Sequence, residues 1–305
     1  MFHHVDGRVS MDRTLVQHGI LDAVPAQGSY LFFSVCGEGK LRKALKKLAR
    51  YADGEAIVVG IGASLAKALN VDIQGLRNFS VLGGAVDVPS TPFALWCWLR
   101  GSDRGELLLR TRELEYLLDD AFQLELAIDA FKYDSGRDLT GYEDGTENPK
   151  GDAAVAAALV TKGKTGIKGS SFVAVQQWLH DLDHFESWPK KRQDNTIGRR
   201  REDNKELVKA PASAHVKRTA QEGFDPQAFV LRRSMPWSES DGSMGLVFVA
   251  FGSSFDAFEV QMRRMAGMDD AIVDALFGFS RPLTGSFFWC PPMQGRELDL
   301  SAVKL

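Results

Sequence analysis

An order of strand, helix and strand recurs along this chain, and the recurrence limits the folds open to it more than any other property of the sequence. Residues 29–35, Ser-Tyr-Leu-Phe-Phe-Ser-Val, read as a strand. Residues 41–52 set lysines and arginines opposite Leu45, Leu48 and Tyr51, the period of an amphipathic helix, and a second strand follows at 56–62. Residues 93–100 then read as a strand, 106–119 as a helix with apolar Leu107, Leu109, Leu114, Leu117 and Leu118, and 122–131 as a strand of partial alternation.

The second half repeats this order. A strand at 171–177 leads to a helical stretch at 182–188, strands at 228–233 and 245–252, a helix at 255–266 and a strand at 286–290. Pro291-Pro292 closes that last strand, because proline supplies no ladder donor. The expected fold class is α+β: two ferredoxin-like β-α-β-β-α-β halves, each with helices on one face of an antiparallel sheet. Residues 1–145 and 146–305 are the expected N- and C-terminal halves, and 305 residues is about twice the ~150 of a single-domain prior. No residue-level identity joins the halves, so the repeat is one of structure.

Apolar residues at 44% and charged residues at 25% exclude a disordered or fibrous chain. With 37 basic and 40 acidic residues the net charge is −3, which gives no global reason to expect nucleic acid or an anionic membrane as partner. Cys36, Cys97 and Cys290 are few, odd in number and scattered; they read as small core residues in a reducing compartment. Residues 1–20 mix His3, His4, Asp6, Arg8, Asp12 and Arg13, without the apolar core of a secretory signal. The longest apolar stretch, 56–69, is broken by Gly60, Gly62, Ser64 and Lys67 and falls short of a ~20-residue membrane span. A soluble cytoplasmic protein is expected.

Two long segments interrupt the repeat, 133–169 and 189–226, and loops of that length inside a compact fold are often functional. The first contains Gly141-Tyr142-Glu143-Asp144-Gly145-Thr146-Glu147-Asn148-Pro149, in which two glycines bracket Asp144 ahead of Asn-Pro. That pattern specifies a bent loop able to present a carboxylate at a cavity, although Asp-Gly is equally at home in a solvated turn. His180 and His184 stand four apart; no third ligand lies near them in sequence, so a helix start with surface histidines is the expected reading over a metal site. His215, flanked by Ala212, Ser213 and Ala214, is either an ordinary loop histidine or an axial iron ligand that a flat group can approach closely. In Val230-Leu231-Arg232-Arg233-Ser234-Met235-Pro236-Trp237 an apolar strand carries two arginines, which alternation places on opposite faces, so that one needs an anion or a partner inside.

Together, the Gly-x-x-Asp-Gly-Thr-Glu-Asn-Pro segment, the loop histidine about seventy residues on and the Leu-Arg-x-x-Met-Pro strand resemble the dye-decolorising peroxidases, and the compact length is similar to their bacterial B-type branch. The resemblance spans nearly the whole chain. It implies one haem b per chain, bound in the C-terminal half, and the reduction of hydrogen peroxide with oxidation of dyes or other bulky aromatic reductants through a ferryl porphyrin radical. It further implies Asp144 as the distal acid–base residue, Arg232 as the distal arginine, His215 as the proximal iron ligand and Asp274 as the carboxylate behind that histidine. Asn195-Thr196-Ile197-Gly198-Arg199 is similar to the segment whose arginine meets a haem propionate. Ser234 stands where some members of the branch carry an asparagine, and as a catalytic residue it would hold a water in place of the amide.

An aspartate base has an unperturbed pKa of ~3.9 against ~6.5 for histidine, so activity is expected to persist in acid. Bulky reductants would be oxidised through surface tryptophan or tyrosine, among which composition does not choose. The resemblance also implies a homo-oligomer, a dimer or larger. Relatives packaged in an encapsulin shell carry a C-terminal extension, which residues 295–305 do not resemble in length. The competing functions are a haem-binding or trafficking protein, an enzyme that releases iron from haem, and a ferredoxin-like binding domain without haem.

Overall fold

In the computed structural model, which describes residues 13–305, the apolar runs form a single antiparallel sheet closed on itself. The reading of residues 1–12 as free of an apolar leader lies outside the described residues. Strands β1 (Gln27–Val35), β2 (Ile57–Ile61), β3 (Leu95–Gly101) and β4 (Phe122–Phe131) pair in the spatial order β4-β1-β3-β2. Strands β5 (Ser171–His180), β6 (Leu231–Arg232), β7 (Met235–Ser238), β8 (Met244–Gly252), β9 (Ser280–Pro282) and β10 (Ser286–Cys290) make the second set, in which β6 and β7 share one edge of β8 and β10-β5-β8 continue the ladder. Counting β6 with β7 as one broken strand, both sets have the same order of first, second, third and fourth strands. The α+β, ferredoxin-like reading with antiparallel sheets is borne out.

What periodicity did not reveal is how the two sets meet. Ala130 of β4 pairs with Trp237 of β7, and Ile61 of β2 pairs with Trp289 of β10; these two single-residue bridges close the ring. Side chains then alternate between two buried environments. Tyr30, Phe32, Trp96, Trp98, Phe251 and Phe288 fill the inside, with Tyr30 stacked on Trp98 at 5.7 Å and Trp96 on Phe288 at 5.9 Å. Leu31, Phe33, Cys97, Leu99, Phe287 and Trp289 face the helices. Burial on both faces explains why these strands read as nearly continuous apolar runs.

The helices are α1 (His18–Leu21), α2 (Leu41–Tyr51), α3 (Ala63–Ala68), α4 (Arg104–Leu118), α5 (Asp152–Ala158), α6 (Leu182–Ser187), α7 (Lys190–Ile197), α8 (His215–Arg218) and α9 (Asp256–Met265). In α2, Leu41, Ala44, Leu45, Leu48 and Ala49 are buried at helical spacing. Asp103 caps α4 by accepting the backbone N–H of Glu106 at 2.9 Å. None of these helices is long and apolar enough to cross a membrane.

Four local expectations are corrected. Leu109 is exposed, because α4 carries leucines around its circumference; Leu107, Leu114 and Leu118 are buried and Leu117 packs partly buried against the same core. Cys36 is exposed at the end of the first strand, while Cys97 and Cys290 are buried as expected. The strand expected over 228–233 shrinks to Leu231–Arg232, since the Val230 N–H is taken by the Gln221 side chain at 2.9 Å instead of a ladder partner. His180 ends β5 and does not share a helix with His184.

Candidate active site

The loop between β4 and α5 is folded by its glycines. Gly141 and Gly145 have φ of +82° and +73°, and a Cβ on Gly145 would lie 2.8 Å from the Asn148 side-chain nitrogen. That close approach matters because the Asn148 amide works like a neighbouring strand for β6. Its Oδ1 accepts the Arg232 N–H at 2.8 Å and its Nδ2 donates to the Arg232 carbonyl at 3.0 Å. The loop is thereby fastened to the strand end that carries the arginine. Arg232 Nη1 lies 3.4 Å from Asp144 Oδ1, with the two side chains 16% and 22% exposed.

Arg233 goes to the opposite face, as alternation requires. It donates to the carbonyls of Leu21 and Arg232, and burial, with Arg100 nearby, pushes its pKa down to about 10.

His215 opens α8 and is fixed from behind. Its Nδ1 is 2.8 Å from Asp274 Oδ2, and the fully buried Asp274 carboxylate also accepts the Leu276 N–H at 2.9 Å. With Nδ1–H donating to a carboxylate, Nε2 is left with a free lone pair. Gly198, at φ +93°, ends α7 so close to α8 that a Cβ there would meet Val216 Cγ2 at 2.3 Å. The chain turns there and brings Arg199 beside His215, where it pairs with Glu147, sits 3.7 Å from Glu206 and donates to the Asn204 carbonyl at 2.9 Å.

Asp144, Arg232 and His215 line one cavity. Its remaining walls are largely apolar, with Ile197, Leu246, Phe248, Phe258, Met262 and Leu276 among them. The same three residues also border a second, more polar cavity that holds Arg199, Glu147, Glu206 and Lys217, so the two form one slot with an apolar depth and a charged mouth. Two buried side-chain donors on the apolar part, Arg232 Nε and Gln176 Nε2, have no protein partner. Among the expected site residues, Asp274 stands behind His215. Ser234 is not part of either cavity wall; its Oγ accepts the Val249 N–H at 3.4 Å.

Sequence reasoning missed three features of the slot. Asn148 reads in the sequence as part of a bend, whereas the structure makes it a clamp on Arg232. Tyr142, buried on the cavity wall, donates to Asp194 at 2.6 Å, and burial together with that carboxylate pushes its phenol pKa up. A polar file, Asp138–His180–Ser280, also reaches the wall: His180 Nε2 is 3.0 Å from Asp138 Oδ1 and Nδ1 is 2.7 Å from Ser280 Oγ. Burial works against ionisation of Asp138, but His180 and hydrogen bonds from Thr140 outweigh it and hold the carboxyl below its ordinary value. Asp138-x-Thr140 was the one local signal, since aspartate accepts hydrogen bonds from the residue two positions on; Thr140 N–H does so here at 2.8 Å.

Residues 135–295 match the family model described as Dyp-type peroxidase, C-terminal. The dye-decolorizing peroxidase of Rhodococcus erythropolis is 31% identical over 251 residues, which cover 79% of this chain and 73% of that protein. The dye-decolorizing protein from V. cholerae has the same fold, with a TM-score of 0.81 at 26% identity over 90% of this chain and 96% of its own. A DypB variant from Rhodococcus jostii, solved in complex with heme, aligns with a TM-score of 0.81 at 25% identity over 93% and 97% of the two chains. With over half of its length matched by the family model and a relative of more than 30% identity aligned along most of the rest, this chain belongs to the Dyp-type peroxidases.

Proposed function

We propose that this chain binds haem in the slot and reduces hydrogen peroxide at the expense of a second, reducing substrate, with Asp144, Arg232 and His215 as the working residues. The residues present fit the group. Apolar walls suit a flat macrocycle, and Arg199 would meet its carboxylates by exchanging Glu147 for them. Arg232 Nε and Gln176 Nε2 are donors that an acceptor inside the slot would satisfy. His215, held by Asp274, would supply Nε2 to the haem iron, and the carboxylate behind it makes the imidazole a stronger donor.

When bound, haem supplies the redox centre for the two-electron reduction of peroxide. Asp144 takes the proton from one peroxide oxygen and returns it to the other, which makes that oxygen a better leaving group. Arg232 stands 3.4 Å from Asp144 and places positive charge where the departing oxygen gathers negative charge. Asn148 keeps Arg232 in position. Ser234, outside the cavity walls, is given no step.

We also infer a cytoplasmic homo-oligomer composed of ferredoxin-like halves 1–145 and 146–305. Three unpaired cysteines support the compartment, and the exposed Leu108, Leu109 and Tyr116 on α4 support association.

The observation that carries the proposal is a carboxylate-held imidazole on the same cavity as a carboxylate–guanidinium pair. Asp144→Asn tests it: the haem-loaded variant should keep its Soret band while its reaction with peroxide slows by about 10²–10⁴-fold. An unchanged rate would assign the chain to haem binding without turnover.

A further inference from the structure

One wall of the cavity is thin. His180, Phe279 and Ser280 border the buried cavity on one side and an open groove on the other, the groove being completed by Asp181, Asp241 and Arg281. Ser280 and His180 are cross-strand partners where β9 pairs with β5, which holds their side chains together. The file Ser280 Oγ–His180 Nδ1 (2.7 Å) and His180 Nε2–Asp138 Oδ1 (3.0 Å) runs through this wall. The His180 and Asp138 side chains are 5% and 14% exposed. Nothing assigned to Asp144, Arg232 or His215 uses these three groups.

A buried imidazole beside a carboxylate is costly unless its charge serves the site. Each electron that enters a cavity of low dielectric adds negative charge, which a proton taken up nearby would offset. Asp144 moves a proton already present on peroxide and adds no charge of its own.

We propose that His180 is the proton-coupling site of the cavity, loaded from the groove through Ser280 and held as an imidazolium by Asp138. The inference rests on the haem-peroxidase reading above. With each electron gained by the cavity, a hydronium ion in the groove gives a proton to Ser280 Oγ as the serine hydroxyl hydrogen passes to His180 Nδ1. One N–H bond forms, the hydroxyl is restored, and a water remains in the groove. When the cavity's added charge is discharged, the proton leaves by the same route. Asp138 stays ionised throughout, and Thr140 keeps it so from the loop side. The charged and titratable groups around the ring are Asp138 on the loop, Asp181, Asp183, Asp241 and Arg281 along the groove, and Glu143, Asp144, Arg232 and His215 around the cavity.

The test is the pH dependence of the haem midpoint potential, a readout separate from turnover. One proton taken up per electron gives about 59 mV per pH unit, the n = 1 equivalent of a tenfold change in proton activity. That slope is expected in the wild-type holoenzyme around neutral pH. It should persist in Asp144→Asn and fall below half in His180→Gln. Asp138→Asn provides a second variant that should flatten the slope, should His180→Gln fold poorly. Ser280→Ala should leave the slope in place but slow proton uptake after rapid reduction, followed with a pH indicator, by at least tenfold; Ser280→Thr should restore it. A full slope in both His180→Gln and Asp138→Asn, or uptake in Ser280→Ala as fast as wild type, overturns the inference. A wild-type chain that binds no haem or leaves peroxide unreduced overturns the peroxidase reading instead.

Discussion

Asn148 offers the sharpest check on how Arg232, to which we assign the distal role, is held. Asn148→Ala removes both hydrogen bonds to the Arg232 backbone, at 2.8 and 3.0 Å, and leaves a half-buried N–H without a protein partner and the C=O with the Arg233 guanidinium alone. A net ~1 kcal/mol for each bond gives a loss of about 2 kcal/mol of stability, with water recovering part of the desolvation cost. The kinetic effect should exceed what stability alone implies. Displacing a catalytic group by ~1 Å can cost about 10²-fold, and here the strand end carrying Arg232 loses one of its two flanking supports. Urea denaturation of the variant should therefore show a loss of about 2 kcal/mol. Stopped-flow mixing of the haem-loaded protein with peroxide should show a rate about 10–100-fold lower, with an unchanged Soret band. A variant within about 0.5 kcal/mol of wild type, the usual scatter of neutral surface changes, and with the wild-type peroxide rate would refute the clamp.

Three further outcomes follow from the geometry. Asp274→Asn weakens the acceptor behind His215 and should cost about 10–100-fold in haem affinity or peroxide rate, measured by haem titration and stopped flow. Gly145→Ala should destabilise by about 1–2 kcal/mol in urea unfolding, because φ of +73° disfavours any Cβ and the Asn148 amide occupies its place. Asp138 is held ionised in the folded chain, so the unfolded state binds more protons as pH falls below its ~3.9 pKa. Stability of the apo-protein should then decline from about pH 4 downwards, and Asp138→Asn should flatten that slope; an identical slope in the variant would contradict the assignment.

The elements that read correctly from sequence are those whose period is local. The helix of Leu45 and Leu48 and the strand of Trp96 and Trp98 each report their environment within a few residues. The site was legible where chemistry concentrates in one segment, as around Asp144, or where a charge interrupts an apolar strand, as at Arg232. What escaped depends on distance along the chain. Asn148 meets Arg232 across 84 positions, and His180 meets Asp138 across 42 and Ser280 across 100. The i, i+4 spacing of His180 and His184 misled for the related reason that a strand ended between them.

The two tryptophan seams, Ala130 with Trp237 and Ile61 with Trp289, bear on how such a chain could be divided. A gene cut at its midpoint would encode fragments that each expose two raw sheet margins, surfaces prone to stack on other chains. Neither fragment would own the whole pocket either, because Asp144 would travel with one and Arg232 and His215 with the other. The cavity that Asp144, Arg232 and His215 share is therefore complete only in a chain whose sheet is closed.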